Sequence, residues 1–130
     1  MLKNLINLAS YLETAVGLSL ILFPTLLLNL LLGIENTLQE NIIGRIGGIS
    51  LLCLAIACRQ GKNLTNVFPA FTALLIFNFF VSFFLYYVKF SLGFQGVILL
   101  PAAILHNLIG ISLLYVFFKK GIKDLKKGLR

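Results

Sequence analysis

Apolar residues run almost unbroken through four stretches of the chain, and polar residues gather between them. A membrane-crossing helix needs about 20 mostly apolar residues, so each stretch is long enough to span a bilayer. The first covers residues 5–24 with an extension to 32. Residues 5–32 as one helix would reach about 42 Å, more than a hydrocarbon core of about 30 Å. Pro24 is therefore expected to kink or end the span, leaving 25–32 partly in the interface. The second stretch, 38–59, opens with Thr37 and Glu40 in the T-x-x-E spacing of a capping box. The third, 67–89, has Asn66 in the N-cap position. The fourth, 94–118, contains Pro101, which lacks the N–H that would bond Val97, so a mild kink is expected there. Short connections join the four. The pattern predicts one all-α domain, an integral-membrane four-helix antiparallel bundle.

Composition supports a membrane rather than a water-soluble chain. Of the 130 residues, 59% are apolar and 12% charged, whereas soluble domains carry about 25% charged residues. This excludes a disordered tail protein, a disulfide scaffold and a nucleic-acid-binding domain. The net charge of +7 does not restore nucleic acid as a partner, because the cations are unevenly placed. Lys119, Lys120, Lys123, Lys126, Lys127 and Arg130 form a basic tail over 119–130, directly after an apolar run. Such a tail anchors topology and attracts anionic lipid. Lys3, Arg59 and Lys62 share its side, with Arg45 and Lys89 toward the other. The excess places the N and C termini in the cytoplasm and the chain in a cell inner membrane. On that topology the Asn63 sequon is cytoplasmic and carries no glycosylation meaning. The first stretch reads as an uncleaved span, since no small-x-small site follows it. Tyr11, Tyr86, Tyr87 and Tyr115 are suited to anchor the interfaces in a chain without Trp.

Polar groups inside the spans are the chemically informative residues. Ionisable side chains in a membrane helix are costly and face a bundle interior or a wet cavity. This chain places Glu13, Arg45 and His106 in three different spans and Asn78 in the remaining one. From helix rise, measured from the cytoplasmic end, their depths are about 12, 21, 18 and 16 Å respectively. Glu13 shares a helix face with Ala9, Ser10 and Gly17, Arg45 with Gly48, and His106 with Ala102, Ala103 and Gly110. Small residues of this kind line close helix seams, and Gly44-x-x-x-Gly48 is a small-xxx-small motif for close packing within the chain or with a second copy in a homo-oligomer. We expect Glu13 and Arg45 to pair, with Asn78 and His106 completing a network. Such a network either binds a small polar ligand or simply fixes helix register. The aromatic face of Phe77, Phe80 and Phe84 reads as packing or lipid-facing surface.

Other chemistry lacks its residues. A single His argues against haem or zinc, and no metal or other cofactor is expected. No Gly-rich phosphate loop is present, and Asp124 in the tail is the only Asp, so no Ser–His–Asp set is available in the membrane and no catalytic residue is assigned. An enzyme would need an outside cofactor such as a quinone. Cys53 and Cys58, about 140° apart around a helix, are not placed to pair and read as packing residues.

The order of features resembles the DoxX-like group of small four-helix membrane proteins. The features are an opening helix with Gly17, Pro24 and Gly33, followed by Gly44-Arg45-Ile46-Gly47-Gly48 leading into an apolar helix. The resemblance spans the chain in architecture and implies a fold more than an activity; some members are linked to respiratory or redox-associated membrane complexes. A second resemblance is to the small multidrug resistance transporters, which place a proton- and drug-binding Glu in their first helix, as Glu13 is here. The absence of Trp, the intramembrane Arg45 and the basic tail depart from that family. The expected function is a non-enzymatic membrane protein with a mid-membrane polar pocket, which binds a small ligand or stabilises an assembly. The alternative is a proton-coupled small-solute transporter using Glu13.

Overall fold

A computed structural model describes residues 2–61 and 68–126. Among them the chain is all-helical and without strands: α1 (Leu2–Leu22), α2 (Pro24–Leu32), α3 (Leu38–Gly61), α4 (Phe68–Phe90) and α5 (Leu99–Lys126). Four of these helices are long and apolar enough to cross a membrane, over Lys3–Leu22, Leu38–Gln60, Phe68–Phe90 and Leu99–Lys119. Lys62, the Asn63 sequon, the Asn66 cap, Lys127 and Arg130 lie outside the described residues.

The helix ends follow from backbone chemistry. The first apolar stretch divides at Phe23 because Pro24 cannot donate to the preceding turn, and Pro24 then opens α2 from its first position. Gly33 ends α2 with φ 75° and donates its N–H to Asn29 O at 2.7 Å. That left-handed conformation suits a residue without Cβ. The Thr37–Glu40 capping box forms: the Thr37 amide and hydroxyl donate to Glu40 Oε2 at 2.6 and 2.9 Å. The Glu40 amide in turn donates to Thr37 Oγ1 at 3.3 Å.

The fourth stretch begins later than the pattern of apolar residues indicates. Residues 91–98 form a turn with Gly93 at φ 76°, and α5 starts at Leu99. Pro101 therefore sits in the first turn of α5, where its missing N–H would have had no partner, so the expected kink has no cause. The apolar turn is held in place by α2. Ile98 donates to Leu30 O at 3.1 Å, and Gly96 packs so closely on the Leu31 carbonyl that no Cβ fits. At the other end α5 stays helical through Lys126, so the basic segment begins as a continuation of the span.

Two helix pairs build the molecule. α1 packs along α3, with Tyr11 over Arg59, Gly17 against Gly48, and Pro24 and Leu28 of α2 against Gly44. Numbers rise along one partner as they fall along the other. α4 packs along α5 in the same sense: Phe71 meets Phe117, Asn78 meets His106 and Ser82 meets Ala103. An apolar cluster of Ile6, Ala9, Cys58, Phe71, Leu74, Ile109, Leu113 and Val116 joins both pairs. A second cluster, Leu85, Val88, Leu99 and Ala103, closes the far end of α4 and α5 with Leu31 and Leu32 of α2 packed against it.

Apolar residues cover the exterior as well as the core, unlike in a soluble protein. Ser10, Glu13, Asn78 and Ser82 are buried, while Phe80, Phe83 and Ile43 are 71%, 77% and 67% exposed. An apolar exterior of this extent is unfavourable in water and favourable in hydrocarbon. Hydroxyls within the spans satisfy themselves locally. Ser10, Thr14, Ser19 and Ser50 each donate to the carbonyl four residues earlier, at 2.7–3.0 Å. This removes the penalty of an unpaired donor in lipid.

Candidate functional site

Helix α4 turns one face inward through Phe71, Leu74, Asn78, Ser82, Leu85 and Val88, a spacing of three and four that keeps Asn78 in the seam. Asn78 is fully buried. Its Nδ2 donates to Leu74 O at 2.8 Å, and its Oδ1 lies 2.9 Å from His106 Nδ1. A carbonyl can only accept, so the Leu74 bond fixes which way the amide points. Oδ1 then faces the imidazole, and His106 Nδ1 must carry the hydrogen. In the neutral ring Nε2 is left as an acceptor with no hydrogen bond among the described residues. The ring is braced from one side by Phe77, edge-on at 5.8 Å between centroids. One turn further along α4, Ser82 Oγ donates to Ala103 O at 3.0 Å, a cross-helix bond that pins the α4–α5 register.

Glu13 is 2% exposed. It lies one turn beyond Ala9, as Asn78 lies one turn beyond Leu74 and His106 one turn from Ile109. Ala9, Leu74 and Ile109 belong to one core cluster, and the offsets run in the same direction along the molecule. The carboxyl, the amide and the imidazole therefore share a polar level above that cluster. The Glu13 carboxylate receives no hydrogen bond and forms no ion pair among the described residues.

Arg45 does not join this level. The residue is exposed and makes no ion pair with Glu13 or any other described carboxylate. Two geometric facts separate them. Glu13 lies four residues before Gly17 and Arg45 three before Gly48, on opposite sides of the Gly17–Gly48 contact, which is about 10 Å along the axis. Arg45 is also turned by about 100° from Gly44, the buried seam residue beside it, so its side chain leaves the interior. It instead lines a cleft with Asn41, Thr25 and the α1–α2 break.

The glycines of the motif act within the chain. A Cβ on Gly48 would lie 2.6 Å from Gly17 O, and one on Gly44 would lie 2.9 Å from a Leu28 methyl. Close backbone approach of this kind is how small residues join membrane helices. Among the described residues no group of three His, Cys, Asp or Glu side chains is gathered to hold a metal ion. The separate Arg45 cleft escaped the sequence reading. The signal available there was the i, i+4 placement of Asn41 and Arg45 next to Pro24.

No known family model, curated protein or solved structure matches this chain.

Proposed function

We propose that this chain is a multi-pass protein of the cytoplasmic membrane whose mid-membrane polar level binds a small ligand. The observation that carries the reading is the burial of Glu13 without a counter-charge or hydrogen bond among the described residues. A network that only fixed register would satisfy its own charged member, because an unpaired buried charge is destabilising. A carboxyl left open at the level of a fixed amide–imidazole pair offers a proton or a cationic centre a place to reside. His106 Nε2 adds an acceptor at the same level.

The falling registers in the two helix pairs support an antiparallel four-span order. The uneven cation count supports cytoplasmic termini. The kinship with the DoxX-like group that we propose rests on the Gly17, Pro24, Gly33 and Gly44–Gly48 features alone. The same openness of Glu13 favours, as a second reading, a proton-coupled carrier of small solutes. That reading additionally requires access from both sides of the bilayer.

Dicyclohexylcarbodiimide, which adds to protonated carboxyls in apolar surroundings, tests the proposal. In proteoliposomes it is expected to modify Glu13, located by peptide mass spectrometry. Tetraphenylphosphonium or a short-chain quinone should protect the residue. Substituting His106→Ala should weaken that protection without preventing modification. Glu13 that resists the reagent in intact protein, or is modified with no protection by either probe, would count against a ligand site. Pyranine-loaded vesicles then separate binding from transport, since only a carrier moves protons with the probe.

A further inference from the structure

We infer that the cleft between the α1–α2 break and the start of α3 is a binding site for an anionic phospholipid with a hydroxyl-bearing headgroup, of the phosphatidylglycerol type. The cleft encloses about 510 Å³. Its walls divide by chemistry. Leu22, Leu26, Leu38 and Ile42 form an apolar side and are 61%, 60%, 75% and 51% exposed. Asn41 and Arg45, one turn apart on α3, form the polar side.

Both polar groups lack what a lipid headgroup supplies. Arg45 is an exposed guanidinium with no carboxylate, hydrogen bond or ring against it among the described residues. Its forked donors suit a phosphate diester. Asn41 Oδ1 is buried and has no hydrogen-bond partner among the described residues. It requires a donor, which a phosphodiester cannot provide and a headgroup hydroxyl can. The carboxylate nearest in sequence, Glu40, is already engaged by the Thr37 amide and hydroxyl and does not compete for Arg45.

The cleft is also preformed. Asn36 Nδ2 donates to Thr25 O at 3.1 Å across its rim, and Pro24 and Leu28 sit against Gly44 beneath it. Arg45 lies seven residues into α3, about 10 Å from the helix start, a depth from which a guanidinium reaches the headgroup layer. An acyl chain would then run down the Leu22–Leu26 side toward the bilayer centre. This site lies at the opposite end of α3 from the Arg59 end and does not involve Glu13, so it stands or falls independently of the polar level.

Native mass spectrometry of the full chain released from detergent tests the site. Phosphatidylglycerol should bind about tenfold more tightly than phosphatidylcholine, whose quaternary ammonium neutralises the same phosphodiester and repels Arg45. Phosphatidylmethanol, a phosphodiester of the same charge without the glycerol hydroxyls, should fall between them. Arg45→Gln should reduce the preference to within about twofold, and Asn41→Leu should abolish only the difference between phosphatidylglycerol and phosphatidylmethanol. A Lys119→Gln, Lys120→Gln, Lys123→Gln variant should keep the full preference. The inference is overturned if Arg45→Gln retains the preference, if the tail variant loses it, or if inorganic phosphate displaces the lipid. Should Arg45→Gln not fold, Arg45→Lys takes its place. It keeps the charge but loses the fork, and it must show an intermediate preference.

Discussion

The Gly17–Gly48 contact makes a sharp prediction because a neighbouring glycine acts as its control. A Cβ added at Gly48 would stand 2.6 Å from Gly17 O, 2.9 Å from Leu20 Cβ and 3.0 Å from Ile21 Cγ1. The first contact is with backbone of another helix, so it cannot be relieved by a side-chain rotation. α1 and α3 must separate, and overpacking of this kind costs about 1–3 kcal/mol. At Gly47, one residue away, a Cβ meets nothing within 4 Å. Gly47→Ala should therefore be neutral, or stabilising by up to about 1 kcal/mol through helix propensity. Unfolding of the two variants in mixed micelles with increasing dodecyl sulfate, followed by circular dichroism, should show a gap of about 1–3 kcal/mol, since the propensity gain is common to both. Gly17→Ala should resemble Gly48→Ala, since its Cβ would lie 2.8 Å from Gly48 O. The double variant should be less destabilised than the sum, because helices already parted by one methyl have room for the other. Equal stabilities for Gly47→Ala and Gly48→Ala would refute the α1–α3 packing described here.

Three further outcomes are expected. Asn78→Leu removes the acceptor of the buried His106 N–H and should cost about 1–3 kcal/mol, with His106→Leu restoring part of the loss in a double-mutant cycle by thermal melting. Glu13→Gln and Arg45→Gln should combine additively to within about 0.5 kcal/mol in the same assay, since the two groups share no contact; strong coupling would mean that they meet. Gly96→Ala should be the most damaging glycine substitution, by about 3 kcal/mol or more, because its Cβ would fall on the Leu31 carbonyl that ties α2 to the turn before α5. Limited proteolysis near residues 91–98 is the direct readout of that loosening.

The helices were legible to different degrees, for physical reasons. The four long apolar stretches stand out because a span must be apolar all round, and the start of α3 was readable because a capping box is local chemistry. The start of α5 was not. Val97 and Ile98 continue the apolar run, yet they are held in a turn by the Ile98 bond to Leu30 and by the Gly96 contact with Leu31. Those partners lie more than sixty residues away, and no window of sequence reveals them. The inward direction of Asn78 was readable from its spacing with Leu74, Ser82 and Leu85. The direction of Arg45 was misleading because small residues on both sides of it suggested a seam. Only Gly44 and Gly48 face that seam, and the residue between their turns looks outward.

The separation of Glu13 from Arg45 has consequences for both. Had they met, the carboxylate and the guanidinium would have neutralised each other, and each helix would hold a fixed register at the expense of a site. Instead α1 and α3 take their register from Gly17 and Gly48, an apolar contact that needs no charge. That leaves a carboxyl inside the bundle at the level of a constrained imidazole, and a cation outside it on the same cleft wall as an unsatisfied amide oxygen. An acidic and a basic group about 10 Å apart along the axis, one facing inward and one outward, suit the two proposed ligands of opposite character. A proton or cation answers the first, and an anionic headgroup answers the second. A single ligand bridging the two would have to pass between α1 and α3 where Gly17 and Gly48 already touch. This packing makes occupancy of the two proposed sites independent.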